Sequence, residues 1–284
     1  MNSFKEKFAH GIFAVAAGIT ILTVALICFF LFAGGMPGMI KIGVWEFVSG
    51  RHWKPTQEIF GILPMILGSI YVTAGALLIG VPAGLLTAVY LSRFASERVK
   101  SFLRPTVSLL AGIPSVVYGF WGLTTIVPSI RMLFGGSGSS LLAAALLLGI
   151  MILPTIASVS EAALNAVPES YYEGALALGA THERAVFTVI LRAARSGVIA
   201  SIILGVGRAI GEAMAVMMVA GNRAVIPNSL IKGVRTLTAN IVMEMGYAAD
   251  LHRDALISTG VVLFVFILII NMLFSFYSRK AVKQ

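Results

Sequence analysis

The sequence has one cysteine, Cys28, and only 12% charged residues in 284 positions. A lone thiol set among Leu, Ile and Phe behaves as a small hydrophobe, and a disulfide within the chain is excluded. Also missing is the Gly-x4-Gly-Lys-Ser/Thr loop that cradles nucleotide phosphates. If ATP is used, another chain must bind it. The four histidines, His10, His52, His182 and His252, lie far apart without ligand spacing. His182-Glu183 begins like a zinc-protease helix, but Val186 stands where the second histidine is needed, so neither a metal site nor a catalytic residue is expected. The formal net charge is +9, yet the 21 basic residues are dispersed over loops with no aromatic-interleaved stripe, which argues against nucleic acid as a partner.

Apolar residues are abundant. They make up 58% of the chain, and the mean hydropathy is +0.95, too high for burial in one soluble core. Lys5 and Lys7 precede an apolar run from Gly11 to Gly35 in the manner of a secretion signal, but signal cores span only about 7 to 15 residues. A helix of this length, about 37 Å, crosses a hydrocarbon core of about 30 Å with some tilt, so the run is expected to stay as a membrane span.

Six apolar segments, at about 9–33, 62–92, 103–130, 140–160, 196–220 and 255–277, predict an all-α protein with six transmembrane helices. An even number places both termini on one side. That side then holds Lys5, Lys7, Arg93, Arg98, Lys100, Arg104, Arg184, Arg192, Arg195, Arg279, Lys280 and Lys283; the other holds Lys41, Arg51, Lys54, Arg131, Arg223, Lys232, Arg235 and Arg253. The excess of positive charge favours cytoplasmic termini. Gly80, Pro82 and Gly84 interrupt the second segment, Gly112, Pro114, Gly119 and Gly122 the third, and Pro154 the fourth. Glycine admits close helix contact, and proline frees carbonyls that lipid tolerates only against protein or a wet cavity. The spans are expected to pack around something, although plain helix packing explains any single glycine as well. The run Gly135 to Ser140 reads as a flexible external turn.

Between the fourth and fifth segments, Pro168 to Arg195 is polar and amphipathic. Pro168 suits the first position of a helix, Gly179 the left-handed position that ends one, and Thr181 the cap of the next. Ala185, Val186, Val189, Ile190 and Ala193 then recur at three- and four-residue spacing as one apolar stripe. This pattern predicts a docking elbow on the cytoplasmic side.

Arg208 lies near the middle of the fifth segment, about 18 Å from either end, where its side chain cannot easily reach water. Glu212 follows one turn later, predicted on the same helix face. Either the two neutralise each other, or Arg208 offers a planar donor fork to an anion while Glu212 holds or replaces that anion between transport events. Burial of each charge costs on the order of 3 kcal/mol, and ionisable groups inside a membrane are functional by default, which favours the second reading. Gly205, Gly207 and Gly211 on the same helix allow a neighbour or substrate close.

The elbow resembles the cytoplasmic loop of ABC-importer permeases, which reads Glu-Ala-Ala, three residues, Gly, nine residues, Ile-x-Leu-Pro. Glu173, Gly179 and Leu191 match, while Gly174, Val189 and Arg192 depart from it. Glu161-Ala162-Ala163 spells the start literally, but Val167 stands where the glycine belongs, so that register is rejected. Phe60 to Pro64, Ala111 to Gly119, Gly207 to Val216 and Arg235 to Ile241 are similar to the PstC-type permease family of phosphate importers; Ala213 departs where Thr is common. Met214-Ala215-Val216 and Ala220-Gly221-Asn222 favour that type over the related PstA type.

The resemblance implies a bacterial inner-membrane subunit with a first helix and external segment over 1–58 and an ABC transmembrane type-1 permease domain over 59–284. It implies inorganic phosphate as substrate, and on the reading of the fifth segment above Arg208 is the expected anion contact, with Glu212 as its switchable counter-charge. The implied partners are a PstA-type permease subunit, a dimeric PstB-type ATPase that holds ATP and Mg, an external PstS-type phosphate-binding protein, and membrane lipid. No cofactor is expected on this chain, and it is not expected to be an enzyme. Glu173 and Gly179 mark the coupling elbow, with Tyr171, Tyr172 and Leu176 as candidate anchors in an ATPase groove, since aromatics dominate buried contacts. The tyrosines also suit anchoring among headgroups. Two rival readings stand beside this one: an ABC permease for another oxyanion such as sulfate or molybdate, and an ion-coupled transporter or channel without an ATPase.

Overall fold

The structure, a computed structural model, describes the backbone of residues 3–282 and the side chains of 10–274 and 276. It is built from helices of very different lengths. The first, α1 (Ser3–Ile42), is followed by a short α2 (Val44–Ser49) and by a two-stranded antiparallel hairpin, β1 (Trp53–Lys54) with β2 (Ile59–Phe60). The hairpin closes because Gly50 and Gly61 meet backbone to backbone, where any side chain would collide. Pro64 then stands in the first turn of α3 (Leu63–Val89), where its missing N–H costs nothing, and a wide turn over Tyr90–Phe94 extends this helix.

The third apolar segment departs from expectation. The structure breaks it into an amphipathic α4 (Glu97–Gly112) and a span that begins only at α5 (Ser115–Trp121), passes through a second wide turn at Gly122–Ile126 and ends in α6 (Val127–Phe134). The cause is local: a residue before proline is pushed out of the helical region, and Ile113 accordingly has ψ 128°. Next come α7 (Leu141–Asn165) and α8 (Glu169–Ala177). The short α9 (His182–Arg184) follows, then a third wide turn over Ala185–Ile190, and α10 (Leu191–Ala193). The rest is α11 (Arg195–Gly211), α12 (Met214–Val219), α13 (Leu237–Glu244) and α14 (Asp250–Val282).

Five continuous stretches are long and apolar enough to cross a membrane: His10–Ile42, Leu63–Phe94, Ser115–Phe134, Leu141–Asn165 and Asp250–Phe274. A sixth is reached when His182–Ala193 and Arg195–Gly211, bent by 71°, are taken as one. The predicted all-α membrane architecture holds, but the fifth expected segment is not one straight helix, because α11 stops at Gly211 and α12 begins at Met214.

The centre is the pair α3 and α7. A methyl built on Gly80 would stand 2.6 Å from Ile152 Cγ1, one on Gly84 2.9 Å from Ile156 Cβ, and one on Gly75 2.7 Å from Ala145 Cβ. Gly119 and Gly122 likewise close on Ala215 and Leu147, and Gly205 on Ile156, so these interruptions serve packing. By contrast, α1 is exposed from His10 to Phe30 except at Cys28, which is half-buried, and from Leu31 onward it packs against α14.

Between α12 and α14 the chain turns back into the protein. Val234 N donates to Ala220 O, Leu237 N to Ser69 Oγ at 3.0 Å, and Thr236 caps α13 through Ala239 N. Irregular backbone at this depth is tolerated because it is buried in protein. The buried carboxylate of Glu244 fixes the return. It accepts from Trp53 Nε1 at 2.8 Å and Arg235 Nη1 at 2.6 Å, and it is hydrogen-bonded to His252 Nε2 at 2.9 Å. Hairpin, α13 and α14 therefore meet at one acid.

Candidate anion path and coupling elbow

Arg208 occupies the last turn of α11, and Glu212 lies beyond the helix end with ψ 125°. The expected pairing on one helix face is thus corrected, since α11 stops at Gly211 and turns Glu212 away. Glycines at 207 and 211 weaken the helix at this point. Arg208 Nη1 instead donates to Thr155 Oγ1 of α7 at 2.9 Å. Glu212 Oε1 accepts from Ala215 N at 3.0 Å, and so caps the next helix, while its main-chain oxygen accepts from Thr238 Oγ1 at 2.9 Å. Among the described residues no carboxylate lies within 4.0 Å of Arg208.

The half-buried guanidinium stands about 13 residues, or about 20 Å, above the start of α11. Methyls built on Gly207, Gly211 and Gly112 would meet nothing within 4 Å. The packed glycines and the open ones therefore separate, and the open ones include both that flank Arg208. Close by, Tyr118 is buried and donates through its hydroxyl to Leu110 O at 2.9 Å. Ser69, Thr73, Thr236 and Thr238 gather around Glu212. Thr155 and these hydroxyls went unnoticed in the sequence. Thr155 directly follows Pro154, and a threonine next to an intramembrane proline is the one local signal that pointed to it.

The elbow follows its sequence pattern closely. Gly179 has φ +83°, a value that glycine adopts without strain, and Thr181 Oγ1 accepts from Arg184 N at 3.4 Å. The predicted stripe holds at Ala185, Val186 and Ile190 but ends on Ala194, while Ala193 is exposed. The wide turn over Ala185–Ile190 adds one residue to the helix and shifts the register by that amount.

Of the candidate anchors, Tyr171, Glu173 and Leu176 are exposed on α8, and Leu178 beyond it is 91% exposed. Tyr172 differs: its hydroxyl is hydrogen-bonded to His182 Nδ1 at 2.8 Å, so its ring is held against its own chain. Glu161, the rejected alternative, sits inside α7 and accepts from Arg104 Nε at 2.6 Å.

Residues 80–283 match the model of the binding-protein-dependent transport system inner membrane component family. The chain belongs to this family. It is 40% identical over 279 residues to the probable ABC transporter permease protein YqgH of Bacillus subtilis, covering 94% of this chain and 90% of that protein. It is 33% identical to the phosphate transport system permease protein PstC of Mesorhizobium japonicum, with 92% and 86% covered. With PstC of Haemophilus influenzae it shares 35%, over 85% of each chain. Among solved structures, a bacterial alginate ABC transporter with its pentasaccharide-bound periplasmic protein aligns with a TM-score of 0.67 at 14% identity, covering 99% of this chain and 98% of that one. The inward-facing MetNI methionine transporter aligns with a TM-score of 0.58 at 22% identity, covering 81% and 99%. These two similarities establish the fold. This family member is a multi-pass inner-membrane permease subunit of an ABC importer. As such it works with a second permease subunit, an ATPase and a binding protein, and it is not itself an enzyme.

Proposed function

We propose that this permease imports inorganic phosphate, with Arg208 as the anion contact and Glu212 as its switchable counter-charge. The observation that carries the reading is a half-buried guanidinium held by a neutral threonine, with no carboxylate within 4.0 Å among the described residues, beside open space at the surface of this membrane-spanning subunit. Such a cation is costly unless an anion visits it. Its planar fork suits an oxyanion better than a point charge does. With Glu212 engaged at the start of α12, the fork is free; release of that carboxylate gives Arg208 a partner after the anion has left. The relatives named PstC support phosphate over other oxyanions.

On this reading the partners are of the PstA, PstB and PstS types, and ATP with Mg is held by the ATPase, with no cofactor on this chain. Glu173, Gly179, Tyr171 and Leu176 form the surface an ATPase engages, and Tyr172 braces that surface from behind. Closure of the ATPase would move the elbow and switch the pathway from outward- to inward-facing. The deciding measurement is labelled phosphate uptake by Arg208→Gln in an assembled complex. Uptake is expected to be lost, and normal uptake overturns the assignment.

A second reading, import of another oxyanion such as sulfate or molybdate, stands beside it because the name of the Bacillus subtilis relative gives no substrate. Competition by those oxyanions in the same uptake assay separates the two.

A further inference from the structure

The cytoplasmic end of α3 carries an arginine that the reading above leaves unused. Arg93 closes the wide turn Tyr90–Phe94, and its side chain is only 12% exposed. Its Nη1 donates to Glu169 Oε2 on α8 at 2.9 Å, and its Nη2 to Leu164 O at the end of α7 at 3.4 Å. The guanidinium also lies 5.8 Å from the centre of the Tyr172 ring. One planar fork therefore touches α8 twice and α7 once while rooted in α3.

The neighbours of Arg93 reinforce the same junction. Ser92 Oγ donates to Asn165 Oδ1 at 2.7 Å, which joins α3 to α7 again. Phe94 meets the His182 ring edge-on at 4.6 Å, and that ring is bonded to Tyr172. From Leu164, α7 runs back about 14 Å to Thr155, where Arg208 is held. The contacts are continuous from the proposed ATPase surface to the proposed anion contact.

As a fastening for the fold alone, the arrangement is poor. Glu169 is 58% exposed, and ion pairs that open to water add little stability. Arg93 Nε is buried without a partner, which is unfavourable. What the fork does well is fix direction, because two hydrogen bonds and a ring contact leave a guanidinium little freedom to turn.

We infer that Arg93 is the positioning residue that passes movement of α8 to the joined ends of α3 and α7, and along α7 to Arg208. The inference rests on the reading that an ATPase engages α8. It predicts that loss of the fork separates ATP hydrolysis from import.

The test uses the full complex with its partner subunits in proteoliposomes, with hydrolysed ATP and imported oxyanion measured in the same vesicles. Arg93→Gln is expected to lower the oxyanion imported per ATP by about two- to thirtyfold, the range over which coupling residues act. Arg93→Lys should fall between, since it keeps a charge for Glu169 but not the fork. A purely structural residue would lower both rates together and leave their ratio unchanged, and that result for Arg93→Gln overturns the inference. Should Arg93→Gln fail to assemble, the double variant Glu169→Gln with Tyr172→Leu removes the α8 contacts from the other side, and an unchanged ratio there overturns it equally. If the wild-type complex imports sulfate instead of phosphate, the phosphate reading fails while the ratio is still measured with sulfate. If hydrolysis and import are unlinked in the wild type, the coupling reading fails and this inference with it.

Discussion

Arg208 of α11 is bonded to Thr155 of α7 at 2.9 Å across 53 positions of the sequence. The hydroxyl orients the guanidinium without neutralising it, so the positive charge stays available. Orientation and charge are supplied by different residues and can be varied separately.

Thr155→Val keeps the side-chain shape and removes the hydroxyl. A hydrogen bond to a charged group is worth about 1.5–3 kcal/mol. At about 1.4 kcal/mol per tenfold, maximal uptake should fall at least about tenfold while the complex assembles. Uptake kinetics on reconstituted complex provide the check, and an unchanged maximal rate would mean that Thr155 does not orient Arg208.

Gly179 holds the elbow at φ +83° with open space around it. Any other side chain pays about 1–2 kcal/mol for that conformation, and a bulky one also alters the surface offered to a partner. Gly179→Trp should either uncouple ATP hydrolysis from uptake or block assembly with the ATPase, both visible by copurification and the ratio of the two rates. Unchanged coupling would count against the elbow.

Glu244→Ala removes the ion-pair partner of Arg235, which keeps only neutral acceptors at Asn222 and Asn240, and the carboxylate bonded to Trp53 and His252. Loss of one partner from a buried ion pair costs about 3–5 kcal/mol. The thermal unfolding midpoint in detergent should drop, whereas Trp53→Phe, which loses only one neutral donor, should have a clearly smaller effect. Equal midpoints for wild type and Glu244→Ala would show that this acid does not hold the hairpin to α13.

Reporter fusions placed near Gly179 and after Gln284 should both report the cytoplasm, and one inserted at Gly136 the outside. This follows from the charge asymmetry of the loops together with the spans in the structure. External signals from both of the first two positions would invert the topology.

Much of the elbow was legible because its signals are local: a proline at a helix start, a glycine at positive φ and a threonine cap need only their sequence neighbours. The break at Ile113-Pro114 is local too, and Pro114 marks it in the sequence, but a proline that interrupts a span and one that ends it leave the same local signal. The separation of Glu212 from Arg208 was hidden for another reason. A four-residue spacing implies a shared face only while the helix continues, and α11 ends at Gly211. Arg93 with Glu169, 76 positions apart, and Trp53 with Glu244, 191 apart, leave no trace in local pattern, because their meeting depends on how the spans assemble.

The glycines along α3 have one further consequence. Lipid tails are as apolar as leucine, so greasiness gives two helices no reason to prefer each other over the bilayer. α3 and α7 adhere through fit, and the fit depends on hydrogen atoms where most residues carry a methyl, since one more carbon at Gly80 would reach Gly149 O at 2.8 Å as well as Ile152. A substitution to alanine there would raise the hydropathy of the span while loosening its grip. For this seam, a score of membrane propensity and a measure of assembly strength should move in opposite directions.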